Sequence, residues 1–117
     1  MDCPKHLILK VAAVFLLLFT YEPLIAQEIT PLTIEIHFKE HHFTPLKIAV
    51  PAGIPLNVKV LNDSHERIEF ESFKLNREKV VEAGQSILVH VPALRPGNYD
   101  FFDDFHSDVP EGDIAAK

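Results

Sequence analysis

From Leu32 to Phe38 the chain alternates without a break: Leu32, Ile34, Ile36 and Phe38 share one parity, Thr33, Glu35 and His37 the other. A helix would scatter such a row around its circumference, so period two marks a strand with one buried and one wet face. The pattern returns in Ile54, Leu56, Val58 and Val60, with Asn57 and Lys59 opposed, and again in Ile68–Glu71 and Ser86–Val91. Turn residues cut these runs at short intervals, at Pro51-Ala52-Gly53, Ala83-Gly84 and Arg95-Pro96-Gly97-Asn98. Pro fixes one turn dihedral, Gly accepts positive φ, and Pro55 suits the start of a strand because it brings no ladder N–H. Adding Lys47–Val50, Lys79–Val81, Tyr99–Phe105 and a short stretch at Ile114 gives about eight short strands and no helical period. This predicts an all-β sandwich of two antiparallel sheets.

The first 26 residues read differently. Lys5 and Lys10 precede the apolar run Val11–Phe19, and Pro23-Leu24-Ile25-Ala26 ends in a small residue. This is the three-part layout of a secretory signal peptide, and the run is too short to favour a spanning helix. The expected boundaries are therefore a signal peptide at 1–26 and one domain at 27–117, exported, touching the membrane only through the signal segment if that is uncleaved. Cys3, the single cysteine, falls in the leader, so the domain has no disulfide and no thiolate ligand. The formal net charge of −6 argues against nucleic acid and anionic lipid, which need a cationic footprint. Cations or basic surfaces are the natural company.

Parity singles out particular acids. If Tyr99 and Phe101 point inward, so does Asp103, while Asp100, Phe102 and Asp104 point out. An inward acid needs a cation, a proton or a dense hydrogen-bond shell. Glu69 and Glu71 share the face opposite Ile68 and Phe70, where their repulsion is relieved by a cation. His41-His42 beside Glu40 is a surface pair or a divalent-ion site, and His65 and Glu66 are secondary ligand candidates. His37 and His90 sit on polar strand faces. Asp104, Asp108 and Glu111 read mainly as loop acids, and Asn76-Arg77-Glu78 as a rim contact or an internal ion pair. No Gly-x-Ser-x-Gly elbow, phosphate loop or His-Glu-x-x-His pair is present, so the expectation is binding and not catalysis.

Phe43-Thr44-Pro45 leading to Val50-Pro51-Ala52-Gly53, Val58–Asn62, Ala83-Gly84, the run Leu94–Phe101 and Gly112-Asp113-Ile114 together resemble the cupredoxin-like domains. That resemblance implies a Greek-key β-sandwich. It also implies where a type 1 copper site would lie: its Cys falls on Asp103, its loop His on His106, its axial Met near Pro110 and its early His near Glu69. Only His106 is kept, and without a thiolate a blue copper site is not expected. Glu69-Phe70-Glu71, the run Phe70–Val81 and Phe101–His106 are similar to the Cys-lacking exported cupredoxin-like proteins associated with periplasmic iron uptake. The resemblance thus implies metal handling outside the cytoplasm, with iron or copper bound by Glu69, Glu71, Asp103 and His106 and a membrane iron permease or another transport component as partner. The alternative is a metal-free β-sandwich serving as an accessory or protein-interaction module.

Overall fold

The computed structural model describes residues 17–117. The expected signal segment lies largely outside the described residues. Residues 17–31 form no strand and are exposed, and among the described residues no helix is long and apolar enough to cross a membrane.

Nine strands follow: β1 (Leu32–Lys39), β2 (His42–Thr44), β3 (Lys47–Val50), β4 (Leu56–Asn62), β5 (Ile68–Ser72), β6 (Arg77–Val81), β7 (Ser86–Val91), β8 (Gly97–Asp103) and β9 (Gly112–Ala116). The sheets run β2-β1-β4-β7 and β3-β9-β8-β5-β6, and the chain changes sheet after β2, β3, β4, β6 and β7. This is the expected Greek-key sandwich with two differences. The additional strand is β2, three residues long and too short to show a period. The sheets are also mixed, because β1 pairs in parallel with β4 and β3 with β9. A parallel neighbour needs a long crossover, and the excursions through the opposite sheet supply it.

The alternating rows meet in the middle. Ile36, Phe38, Val58 and Val60 from one sheet face Ile68, Phe70, Phe101 and Ile114 from the other, all fully buried. Phe43 of β2 plugs one end, its ring centre 5.2 Å from Phe38, 5.3 Å from Phe101 and 6.3 Å from Phe70, each edge-on. Such pairs add about 0.5–1.5 kcal/mol each beyond burial. Gly112 pairs with Phe101 across β8 and β9, and a Cβ there would sit 2.1 Å from the Phe101 ring. A residue without a side chain is what lets β9 close beneath this end of the sandwich.

Candidate metal centre

Strand β5 sends Ile68, Phe70 and Ser72 into the core and Glu69 and Glu71 to the opposite face of the sheet, as its parity predicts, although Glu69 is buried there too. The ladder then decides their company. Glu71 stands opposite Glu78 of β6 and Phe102 of β8, and Phe70 opposite Asp103. One step beyond, the Asp104 N–H donates to the Glu69 carbonyl at 3.0 Å, which sets Asp104 beside Glu69 on the outer face. Ligand oxygens of Glu69, Glu71 and Asp104 consequently lie within 4.8 Å of one another.

The electrostatics of this group are unfavourable as it stands. None of Glu69, Glu71, Glu78 or Asp104 makes an ion pair among the described residues. Glu69 is only 7% exposed, and its Oε1 is buried with no hydrogen-bond partner. The approach of the Glu78 carboxyl, then burial, then the charges of Glu78, Asp104 and Glu71 push the Glu69 pKa up to about 7. Burial, with Asp104 and Glu78, also raises Glu71. Carboxylates gathered this way hold either a shared proton or a cation.

Asp103 solves its inward position differently. It is 2% exposed; its Oδ1 accepts the N–H groups of Glu69 and Phe105, each at 3.0 Å, and its Oδ2 lies 2.6 Å from His106 Nδ1. Both oxygens are engaged, so Asp103 carries the dense hydrogen-bond shell. The four residues singled out in the sequence therefore form two groups and not one. Glu69 and Glu71 open outward, while Asp103 and His106 lie across the pleat of β8. Asp104 joins the outward pair, although its place in an acidic loop had suggested a solvated tip. Glu78 joins them too, although Asn76-Arg77-Glu78 had suggested a rim. Parity placed Asp104 on the outer face, but only the β5–β8 pairing shows which acids it meets.

Among the described residues His37, His41, His42 and His90 also have partners. His37 Nδ1 is 2.7 Å from Asp63 Oδ2, and His90 Nδ1 is 2.6 Å from Asn57 Oδ1. His41 lies between Glu66 and Asp108. Arg77 does not pair with an acid but donates from Nε to the His90 carbonyl at 2.9 Å. A blue copper centre does not fit this loop: Asp103, where the resemblance puts the thiolate, has both oxygens in use, and the sequence's single Cys and Met are Cys3 and Met1, ahead of the described residues.

Two mixed sheets in this order, with the loop that carries His106 between the last two strands, define a cupredoxin-like sandwich. The chain belongs to the cupredoxin-like domain family, whose model matches residues 10–116. An uncharacterised protein of Rickettsia prowazekii (strain Madrid E) is 36% identical over 86 residues, 74% of this chain and 69% of that protein. Among solved structures, the metal-binding domain of the Cu(I)-exporting P-type ATPase CopA of Streptococcus pneumoniae matches with a TM-score of 0.65 and 13% identity, covering 73% of this chain and 84% of that one. Auracyanin A, a blue copper protein of Chloroflexus aurantiacus, matches at 0.62 and 14%, covering 75% of this chain and all of that one. At these identities the likeness is one of fold.

Proposed function

We propose that this is an exported, periplasmic cupredoxin-like protein that binds iron or copper on the outer face of its five-stranded sheet and serves a membrane uptake system for that metal, such as an iron permease. Glu69, Glu71 and Asp104 supply the ligands. Glu78 adds charge beside them, and Asp103 with His106 holds the strand ends from behind. The observation that carries the reading is Glu69 Oε1, a buried carboxylate oxygen with no hydrogen bond, standing among other carboxylates. Oxygen donors suit iron or Cu(II) better than Cu(I). The copper named for the structural relatives supports a metal role, and the sequence resemblance to iron-uptake partners favours iron.

Titration of the purified protein with Fe(II) without oxygen, and with Fe(III) and Cu(II) in air, tests this. The expected result is a Kd below about 100 μM, with oxygen-only coordination of iron by X-ray absorption. Glu69→Gln and Asp104→Asn should each weaken it about tenfold or more. If no such ion binds, or both variants bind it as well as the wild type, the metal reading falls and a metal-free accessory module takes its place. Metal content of cells lacking the protein, grown short of iron or short of copper, separates the two transport assignments.

A further inference from the structure

The β1–β2 hairpin turns on Glu40 and His41, both at positive φ (52° and 64°). A two-residue turn between twisted strands demands this, and Asn-Gly usually supplies it. The turn delivers the His41 ring to the end of the sandwich, where Nδ1 lies 2.9 Å from Glu66 Oε2 and Nε2 lies 2.8 Å from Asp108 Oδ2. Three segments distant in sequence, the β1–β2 turn and the loops after β4 and β8, meet on one imidazole. The His106 ring stands edge-on to it at 5.5 Å.

The two rings are held alike. Glu66 fixes His41 and Asp103 fixes His106, each at Nδ1, so Nε2 of each ring points away from that carboxylate. Metal-binding histidines are oriented by the same carboxylate at the far nitrogen. We propose that His41 Nε2, Asp108 and His106 Nε2 form a second cation site, for a divalent transition ion such as Cu(II) or Zn(II), separate from the carboxylate cluster.

The spacing of His41 and Asp108 suits it. Two donor atoms bound to one zinc ion at tetrahedral angles lie about 3.3 Å apart, and two imidazoles bound through Nε2 have ring centres about 5 Å apart. Opening the 2.8 Å His41–Asp108 contact by about half an ångström therefore seats the ion where a proton now lies. His106, its side chain 27% exposed, has to swing inward to complete the set. Asp108, 73% exposed on its loop, can follow the ion. The pocket already draws positive charge: Glu66 and Asp108 raise the His41 pKa, and His41 lowers that of Asp108. Imidazole and carboxylate together suit a borderline ion, whereas the outer cluster offers oxygen alone.

The site stands whether or not the outer cluster binds metal, and Cu(II) titration followed by electron paramagnetic resonance separates them. In the Glu69→Gln/Glu71→Gln protein, Cu(II) should still bind below about 100 μM, with splitting from two imidazole nitrogens. His41→Ala on that background should weaken binding about tenfold or more and remove the two-nitrogen pattern, and Asp108→Asn, on an exposed loop, should weaken it while leaving the fold intact. His42→Ala should change nothing. A double variant without nitrogen-bound Cu(II), or a two-nitrogen spectrum that survives both His41→Ala and Asp108→Asn, overturns the proposal.

Discussion

Replacing Glu69 by Gln keeps the shape of the side chain and removes its charge, so it should stabilise the metal-free protein while damaging cation binding. The gap between about 7 and the ordinary 4.5 sets a ceiling of about 3 kcal/mol for the cost of ionising Glu69 in the fold. Coulomb's law gives a similar bracket. Carboxylates up to 4.8 Å apart repel by about 1 kcal/mol in bulk water and by about 3 kcal/mol at the effective dielectric of a protein surface. Because Glu71 is only half-buried and Asp104 is exposed, solvent screening favours the lower half, about 1–2 kcal/mol at pH 8. For a domain of this size that is a rise in Tm of about 5–15 °C. Between the two pKa values the folded state keeps a proton that the unfolded chain has released, so wild-type stability falls as pH rises through that window. Glu71, His37 and His41, also raised, slope the same way. They remain in the variant, so the difference between the two proteins isolates Glu69. Thermal unfolding followed by circular dichroism, in chelator at pH 5 and pH 8, measures it. If the variant is no more stable than wild type at pH 8, or its advantage is as large at pH 5, the picture of a charge cluster lacking its cation is wrong.

Three further outcomes are expected. Gly112→Ala drives a methyl group into the Phe101 ring, 2.1 Å away, and should lower stability by about 1–3 kcal/mol in urea titration; a loss under about 0.5 kcal/mol would show that β9 can shift. Asp103→Ala leaves the Glu69 and Phe105 N–H groups without their acceptor, at a cost of about 2–4 kcal/mol, and amide exchange should accelerate at those two positions first. Asp103→Asn, which keeps an acceptor, should lose clearly less. Cation affinity at the outer cluster should climb with pH and level off above about 7, because the Glu69 proton must leave before the ion binds; calorimetry that finds a flat profile from pH 5.5 to 8.5 contradicts that ligand assignment.

The sandwich was legible because burial acts locally on each strand. Leu32–Phe38 and Leu56–Val60 show their buried faces in their own residues, and Pro51-Ala52-Gly53 and Ala83-Gly84 show where the runs end. Strand β2 was not legible, since three residues cannot display a period, and neither was the parallel β1–β4 pairing, since no local signal says which strand lies beside which. The same limit splits the site. Parity alone placed Glu69, Glu71 and Asp104 outward and Asp103 inward, and burial agrees for the two residues it decides most sharply, Phe101 and Asp103. That Asp104 faces Glu69, and that Glu78 stands across from Glu71, depends on register, which long-range packing sets. Position in the family loop drew attention to Asp103 and His106. It says nothing of the hydrogen bonds that occupy them.

Those hydrogen bonds suggest how a cupredoxin-like sandwich could change its metal chemistry. At the inward position of β8 a thiolate would be a ligand, soft and without strong hydrogen-bond demands, whereas a carboxylate there must satisfy both oxygens before anything else. Asp103 does so with two backbone N–H groups and an imidazole, and in doing so fastens β5 to the loop after β8. The N–H it takes from β5 belongs to Glu69 itself. One step along the chain, Asp104 emerges on the opposite face, because successive strand residues alternate. Its own N–H closes the adjoining bond to the Glu69 carbonyl. A single inward acid thereby positions two outward ones, and on the reading proposed above these hold an ion on the face of the sheet. The Asp103→Asn and Asp103→Ala pair bears on this directly. If Asp103 acts by positioning, the Asn variant should keep most of the cation affinity of the outer cluster and the Ala variant should lose it. Equal loss in both would mean that the carboxylate binds the ion itself.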